Sequence, residues 1–276
     1  MPGCLYLVAT PIGNLSDLSS RAIETLETVD FIAAEDTRVT VKLLNHLELK
    51  KPMVSYHRHN EESGGAIILD RIVGGETCAL VSDAGTPAIS DPGEDLVLRC
   101  AEQGIEVISI PGPCALVNAL ALSGLPTGRF CFEGFLAMNK KNRREHLSEL
   151  QKETRTMIFY EAPHKLPSTL CDLRDAFGAE RRISLCRELT KLHEEVKRTT
   201  LGEAAAYYEE TKPRGEFVLV VEGAKPVVKE VEGLELRLKR VQLLRQEGLS
   251  LRDAARRVAE ETGTSRKELY DAALNL

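Results

Sequence analysis

The sequence predicts an α/β protein made of two α/β domains and a small helical unit at the carboxyl end. Three observations carry that prediction. Short β-rich runs alternate with helical patterns through the first part of the chain, as expected of a parallel sheet with crossover helices. A second series of such runs starts after the turn-rich break Ser123-Gly124-Leu125-Pro126. Beyond Gly233 the strand-like runs stop and helical spacing takes over. The expected division is 1–113, 114–225 and 226–276, with the boundary between the two α/β domains falling between Pro113 and Thr127.

Taken in order, Leu5–Ala9 is a short apolar run that stops at Pro11 and Gly13, a buried strand rather than a signal peptide. Phe31–Ala34, Met53–Tyr56, Ala79–Ser82 and Val107–Ile110 follow as strands, with helices near Ser19–Val29, Val39–Leu47, Ala66–Ile72 and Asp95–Gln103. In the second series Phe130–Phe135, Thr156–Tyr160, Ile183–Arg187, Val196–Leu201 and Phe217–Val221 are strand-like, and helices fall near Arg144–Gln151 and Leu166–Phe177. Val227–Gly233 reads as a polar connector, and Leu234–Glu247 opens a three-helix unit that resembles a helix-turn-helix. Within that unit Leu251, Ala254, Ala255, Val258 and Ala259 recur at helical spacing, Gly263 closes the helix, and Ser265 with Glu268 forms a capping box for the next.

A hydrophobic fraction of 43% is ample for two cores, and no run approaches the about 18 apolar residues of a membrane span. Seven cysteines are an odd number without a CxxC pair, and Cys78, Cys131 and Cys186 sit in strand-like runs as small apolar residues do, so a reducing cytoplasm is expected. The net charge of -6 excludes a globally basic nucleic-acid binder. Nucleic-acid contact then falls to local patches: Lys140, Lys141, Arg143 and Arg144 in one, and Arg252, Arg256, Arg257, Arg266 and Lys267 in the other. The competing reading of each is a solvated helix face.

Candidate sites cluster where strands end. Leu80 to Gly93 runs LVSDAGTPAISDPG, an apolar strand leading into Asp83 and a loop in which Gly85 lets backbone amides approach a ligand. Thr10-Pro11-Ile12-Gly13-Asn14 follows the first strand and lacks both the P-loop lysine and the three-glycine dinucleotide spacing, which argues against nucleoside triphosphates and NAD. Glu35-Asp36-Thr37-Arg38 follows the second strand, the competing reading being acids that complement a helix dipole. His57-Arg58-His59 follows the third; two histidines without a third ligand at a telling spacing suit substrate contact better than a metal, so no metal is expected. Tyr160-Glu161-Ala162-Pro163-His164 and Arg187-Glu188-Leu189-Thr190-Lys191 repeat the pattern in the second domain, and so many clusters at strand ends favour one shared cleft over separate surface ion pairs. Arg214-Gly215-Glu216 reads as a turn into a buried strand.

In chain order TPIGNL, EDTR, SYHRHNE, VSDAGTPAISDPG, PGPCAL, FEGF, YEAPHK, RELTKLHEE and RGEFVLVVEG resemble the tetrapyrrole methylase superfamily, and within it the 16S rRNA cytidine 2'-O-ribose methyltransferases. Cys114, Ala137 and Lys165 stand where serine, proline and arginine are usual. The resemblance implies a fold of two α/β domains around a cofactor cleft, homodimers, S-adenosylmethionine as donor, and the small ribosomal subunit as partner. It implies a donor site at Pro11, Asp83, Ala84, Gly85, Thr86, Pro87, Cys114, Ala115, Tyr160, Leu189 and Thr190. A ribose hydroxyl is a weak nucleophile, so a group that takes its proton is expected, the candidates being Glu35, Asp36 and Arg38, or Glu161 with His164. RNA phosphates are expected at His57, Arg58, Lys140, Lys141, Arg143 and Arg144. The nearest alternative is a tetrapyrrole C-methyltransferase, for which a helix-turn-helix tail has no use.

Overall fold

The computed structural model describes residues 3–225 and 233–274. Most of the expected connector and the start of the third segment lie outside the described residues. The two sheets belong to one compact unit that ends at Ala224, and a second unit begins at Lys225.

The first sheet contains β1 (Leu5–Val8), β2 (Phe31–Ala34), β3 (Met53–Ser55), β4 (Cys78–Val81) and β5 (Val107–Ile110), in the order β3-β2-β4-β1-β5 with every pair parallel. Its middle strands are apolar throughout because both faces are covered. Phe31, Ala33, Cys78 and Leu80 pack on one face with Ile68 and Ile72 of α3 (Glu61–Val73) and Leu96 of α4 (Glu94–Glu102). Ile32, Ala34, Ala79 and Val81 point the other way, onto Ala22 and Leu26 of α1 (Ser20–Thr28) and Leu44 of α2 (Thr37–His46). β1 thus leads to a helix on one face while its neighbour β4 leads to a helix on the other. Such a pair of neighbours opens a crevice at the carboxyl ends of the strands.

After α5 (Ala115–Leu122) comes the second sheet: β6 (Phe130–Phe135), β7 (Thr156–Glu161), β8 (Arg182–Arg187), β9 (Glu195–Thr200) and β10 (Phe217–Val221). Its order is β6-β7-β10-β8-β9, and only the β6–β7 pair is parallel. α6 (Lys140–Leu150), α7 (Leu166–Phe177) and α8 (Leu201–Glu210) cover one face. α5 covers the other, placing Leu116, Ala119 and Leu120 against Ile158, Val218 and Val220, and Ile12 of the first lobe joins the same cluster.

The second unit holds α9 (Leu234–Gln246), α10 (Leu251–Thr262) and α11 (Arg266–Leu274) around Val241, Ala254, Val258 and Leu269. Ser250 caps α10, Gly263 ends it with φ +67°, and the Glu268 amide donates to Ser265 Oγ at 3.4 Å. Two helices are absent from the sequence reading. α5 is apolar almost all round, so it shows little periodicity, and α8 follows an expected strand with no break. α3 also begins earlier than expected, at Glu61, because Gly64 and Gly65 look unlike helix; a side chain at Gly64 would press on the Ser55 carbonyl at 3.2 Å.

Candidate functional site

Three loops at the carboxyl edge of the first sheet are tied together. Thr10 and Gly85 exchange backbone hydrogen bonds of 2.9 and 3.0 Å, and Thr10 Oγ1 donates to the Ser82 carbonyl at 3.2 Å. Gly85 takes φ +89°, and Thr86 Oγ1 donates to the Pro113 carbonyl at 3.0 Å. The second lobe closes on them: a side chain at Gly13 would meet Lys191 Cγ at 2.4 Å, so glycine lets that loop pass with Lys191 in place. Tyr160 accepts the Leu116 amide at 3.2 Å, tying β7 to the start of α5.

Between the lobes lies a cavity of about 440 Å³, in the size range of small-molecule sites. Ile12, Ala115, Cys186, Leu189 and Val218 give it an apolar wall. The polar lining is lopsided: Glu35, Asp83, Asp91, Glu161, Glu188 and Glu216 face a single lysine, Lys191. Such a chamber favours a cationic ligand. Four non-glycine residues around it, Ala88, Ser90, Glu188 and Thr190, have φ between 51° and 65°. Each such conformation costs about 1–3 kcal/mol and is held only where the surroundings impose it.

The carboxylates differ in their commitments. Glu161, 4% exposed, accepts the Ala162 amide at 2.9 Å on one oxygen and the Thr169 hydroxyl on the other. Glu188 receives Lys191 Nζ at 2.9 Å, which lowers its pKa, and Glu216 receives the same lysine at 2.9 Å. Asp83 accepts the Asp36 amide at 3.0 Å, yet burial raises its pKa. Burial and the Asp83 charge raise that of Glu35. Burial, with Glu35 nearby, pushes Asp91 up to about 6.

Of the residues expected at the site, Glu35, Asp83, Ala84, Gly85, Thr86, Cys114, Ala115, Tyr160, Glu161 and Leu189 line this one cavity. Pro11, Pro87 and Thr190 flank it in sequence without being part of its lining. Asp36 and Arg38 are elsewhere engaged: Asp36 caps α2, accepts the Arg38 guanidinium at 2.6 Å, and is held by it at about 2, which makes a poor base. His164 is exposed on the short turn Pro163–Lys165 and is not in the lining. Arg58 donates to the Ser90 carbonyl at the cavity's edge, while His57 is half-buried. Arg143 departs most from expectation. Only 12% of its side chain is exposed, and it bonds Asp172 at 2.6 Å and Thr169 at 2.8 Å, buttressing the residue that holds Glu161. Lys140, Lys141 and Arg144 remain exposed. Among the described residues no cluster of three or more His, Cys, Asp and Glu side chains is placed to hold a metal.

Sequence reasoning overlooked Asp91, Ile89 and Phe135. The first two continue the loop already singled out, so loop membership was an available signal. Phe135 is 55% exposed and lines the cavity, its direction changed by a bulge between Phe132 and Gly134. It meets Tyr160 edge to face, ring centroids 5.6 Å apart.

Comparison with known proteins adds relationship to this geometry. The family model described as tetrapyrrole (corrin/porphyrin) methylases matches residues 4–205, and that of the RsmI C-terminal HTH domain matches 235–276. A protein of Synechocystis sp. named ribosomal RNA small subunit methyltransferase I is 51% identical over 99% of this chain and 98% of its own length. Its namesake in Pseudomonas aeruginosa is 46% identical over 99% and 97%. Among solved structures, a diphthine synthase superposes with TM-score 0.61 at 14% identity, covering 80% of this chain and 90% of its own. A uroporphyrin-III-C-methyltransferase from Thermus thermophilus does so with TM-score 0.57 at 21% identity, covering 80% and 94%. At these identities the two structures speak for the fold.

Proposed function

This chain belongs to the tetrapyrrole methylase family, and from that membership we propose that it methylates the 2'-hydroxyl of a cytidine in 16S ribosomal RNA. It is a methyltransferase of small-subunit ribosomal RNA that uses S-adenosylmethionine. The observation that carries the reading is the single cavity into which the early and late motifs converge. The porphyrinoid alternative rests on fold likeness alone, whereas the relatives named for ribosomal RNA match the chain from end to end.

The cavity suits the donor on two counts. Its apolar wall accommodates a nucleobase, and its excess of carboxylates suits a sulfonium cation. Asp83, Ala84, Gly85, Thr86, Cys114, Ala115, Tyr160 and Leu189 would hold the donor, which supplies an electrophilic methyl group when bound. The same acidity repels phosphates, so the RNA backbone is contacted outside the chamber, by Lys140, Lys141, Arg144 and the exposed Arg252, Arg256, Arg257, Arg266 and Lys267. Phe135, half-exposed at the rim, offers a face on which a nucleobase can stack, and the half-exposed Ile89 adds apolar surface. The working form is a homodimer in the cytoplasm, a setting suited to seven free cysteines.

Incubating the protein with labelled donor and small subunits from cells lacking the gene, then mapping the modified nucleotide, tests the reading. Label on one cytidine ribose is expected. Label on a base or a protein, or none, would overturn it.

A further inference from the structure

The cavity holds six carboxylates, and the fold occupies all but one of them with charged groups or backbone amides. Glu161 is held on both oxygens, Glu188 and Glu216 share Lys191, Asp83 accepts the Asp36 amide, and Glu35 takes the Asp83 amide at 3.5 Å. Asp91 instead has the neutral hydroxyl of Ser82 near it, and that hydroxyl donates to the Gly85 carbonyl at 3.4 Å. The backbone around it is strained: Ala88 and Ser90 both take φ +65°, and the Ala88 amide closes the turn onto the Pro92 carbonyl at 3.3 Å. Arg58 donates to the Ser90 carbonyl and so fastens this loop from the third strand's side. Residues held in sparsely populated conformations concentrate where a side chain must be presented to a ligand.

Resting on the reading above, we infer that Asp91 is a catalytic residue whose carboxylate accepts the proton of the attacking ribose hydroxyl. The hydroxyl oxygen forms its new bond to the methyl carbon while the carbon–sulfur bond breaks, its electron pair staying on sulfur to leave a neutral thioether. The hydroxyl proton passes to Asp91, and from there to solvent between turnovers.

The groups facing Asp91 suit it to this role. Glu35 from the end of β2 and Asp83 from the end of β4 raise its proton affinity, Arg58 after β3 opposes them, and Tyr160 of β7 lies near enough to feel its charge. With a pKa of about 6, Asp91 is mostly ionised at neutral pH yet more basic than a free carboxylate, as a general base requires.

The test uses the full-length protein with purified unmethylated small subunits, in single turnover with enzyme in excess, so that the rate reports chemistry. Wild-type rates are expected to rise with pH around a midpoint near 6. Asp91→Asn should slow transfer about 10²–10⁴-fold and remove that dependence, while donor affinity by calorimetry stays within about threefold; Asp91→Glu should recover part of the rate. An active wild type with a flat profile from about pH 5 to 8 would overturn the inference without recourse to any variant. So would Asp91→Asn within about threefold of wild type, or a loss of donor binding in that variant, which would make Asp91 a donor contact. A wild type that transfers no methyl group at all would remove the functional reading first, and the inference with it.

Discussion

Asp36 and Asp91 are carboxylates of the same sheet edge's loops with opposite perturbations, and the difference decides what each can do. Asp36 is pulled down to about 2 by the Arg38 guanidinium, so the stability it contributes is fully present above its ordinary 3.8 and is lost as pH falls toward 2. Asp36→Ala should lower the melting temperature at neutral pH, remove part of the acid sensitivity in that window, and leave methyl transfer within about threefold of wild type. Asp91 behaves the other way. Its folded pKa lies above its unfolded one, so the native state holds more protons between 3.8 and about 6, and stability declines as pH rises through that window. Asp91→Asn should abolish the decline, making the variant melt higher than wild type at neutral pH. An unchanged melting curve would mean that Asp91 is not shielded as the structure places it. None of this is readable from the strings EDTR and SDPG, since each holds an acid in a loop that leads to a helix; only folding shows that Asp36 takes Arg38 while Asp91 is half-buried.

α6 shows how a single element divides its work. Lys140, Lys141 and Arg144 face solvent, while Arg143 reaches Asp172 and Thr169 on α7. Arg143→Ala should cost about 1–3 kcal/mol of stability, seen in denaturant unfolding, because it strips charged hydrogen bonds from a shielded site. Lys140→Ala and Arg144→Ala should leave stability alone, weaken particle binding, and each reduce the slope of affinity against salt by about one. A run of four cations looks uniform in one dimension; helical spacing sends its third member inward. The same limit explains the elements. Strands buried on both faces announced themselves as apolar runs, and the capped helices of the second unit were legible from Ser250, Gly263 and Ser265. α5 was not, because an apolar helix against a sheet has no polar face to set its period.

At the scale of the molecule, the two lobes supply what neither sheet could alone, and the terminal helices form a compact unit of their own. A chain ending at Ala224 should keep its donor affinity, measured by calorimetry, but bind small subunits with a shallower salt dependence. Particle binding identical to that of the full chain would assign the terminal helices another task. The convergence of strand-end motifs on one chamber was foreseeable because parallel strands deliver their carboxyl ends to the same edge. The chamber's electrical character was not, since Glu216 comes from a turn that reads as structural and Asp91 lies at the far end of its loop. That character bears on what happens after the reaction. Methyl transfer discharges the sulfonium, so the spent molecule is one positive charge poorer than the one that entered, and the surrounding anions grip it less. Fresh donor is therefore expected to bind the chamber more tightly than the by-product, an order that calorimetry with each in turn would check.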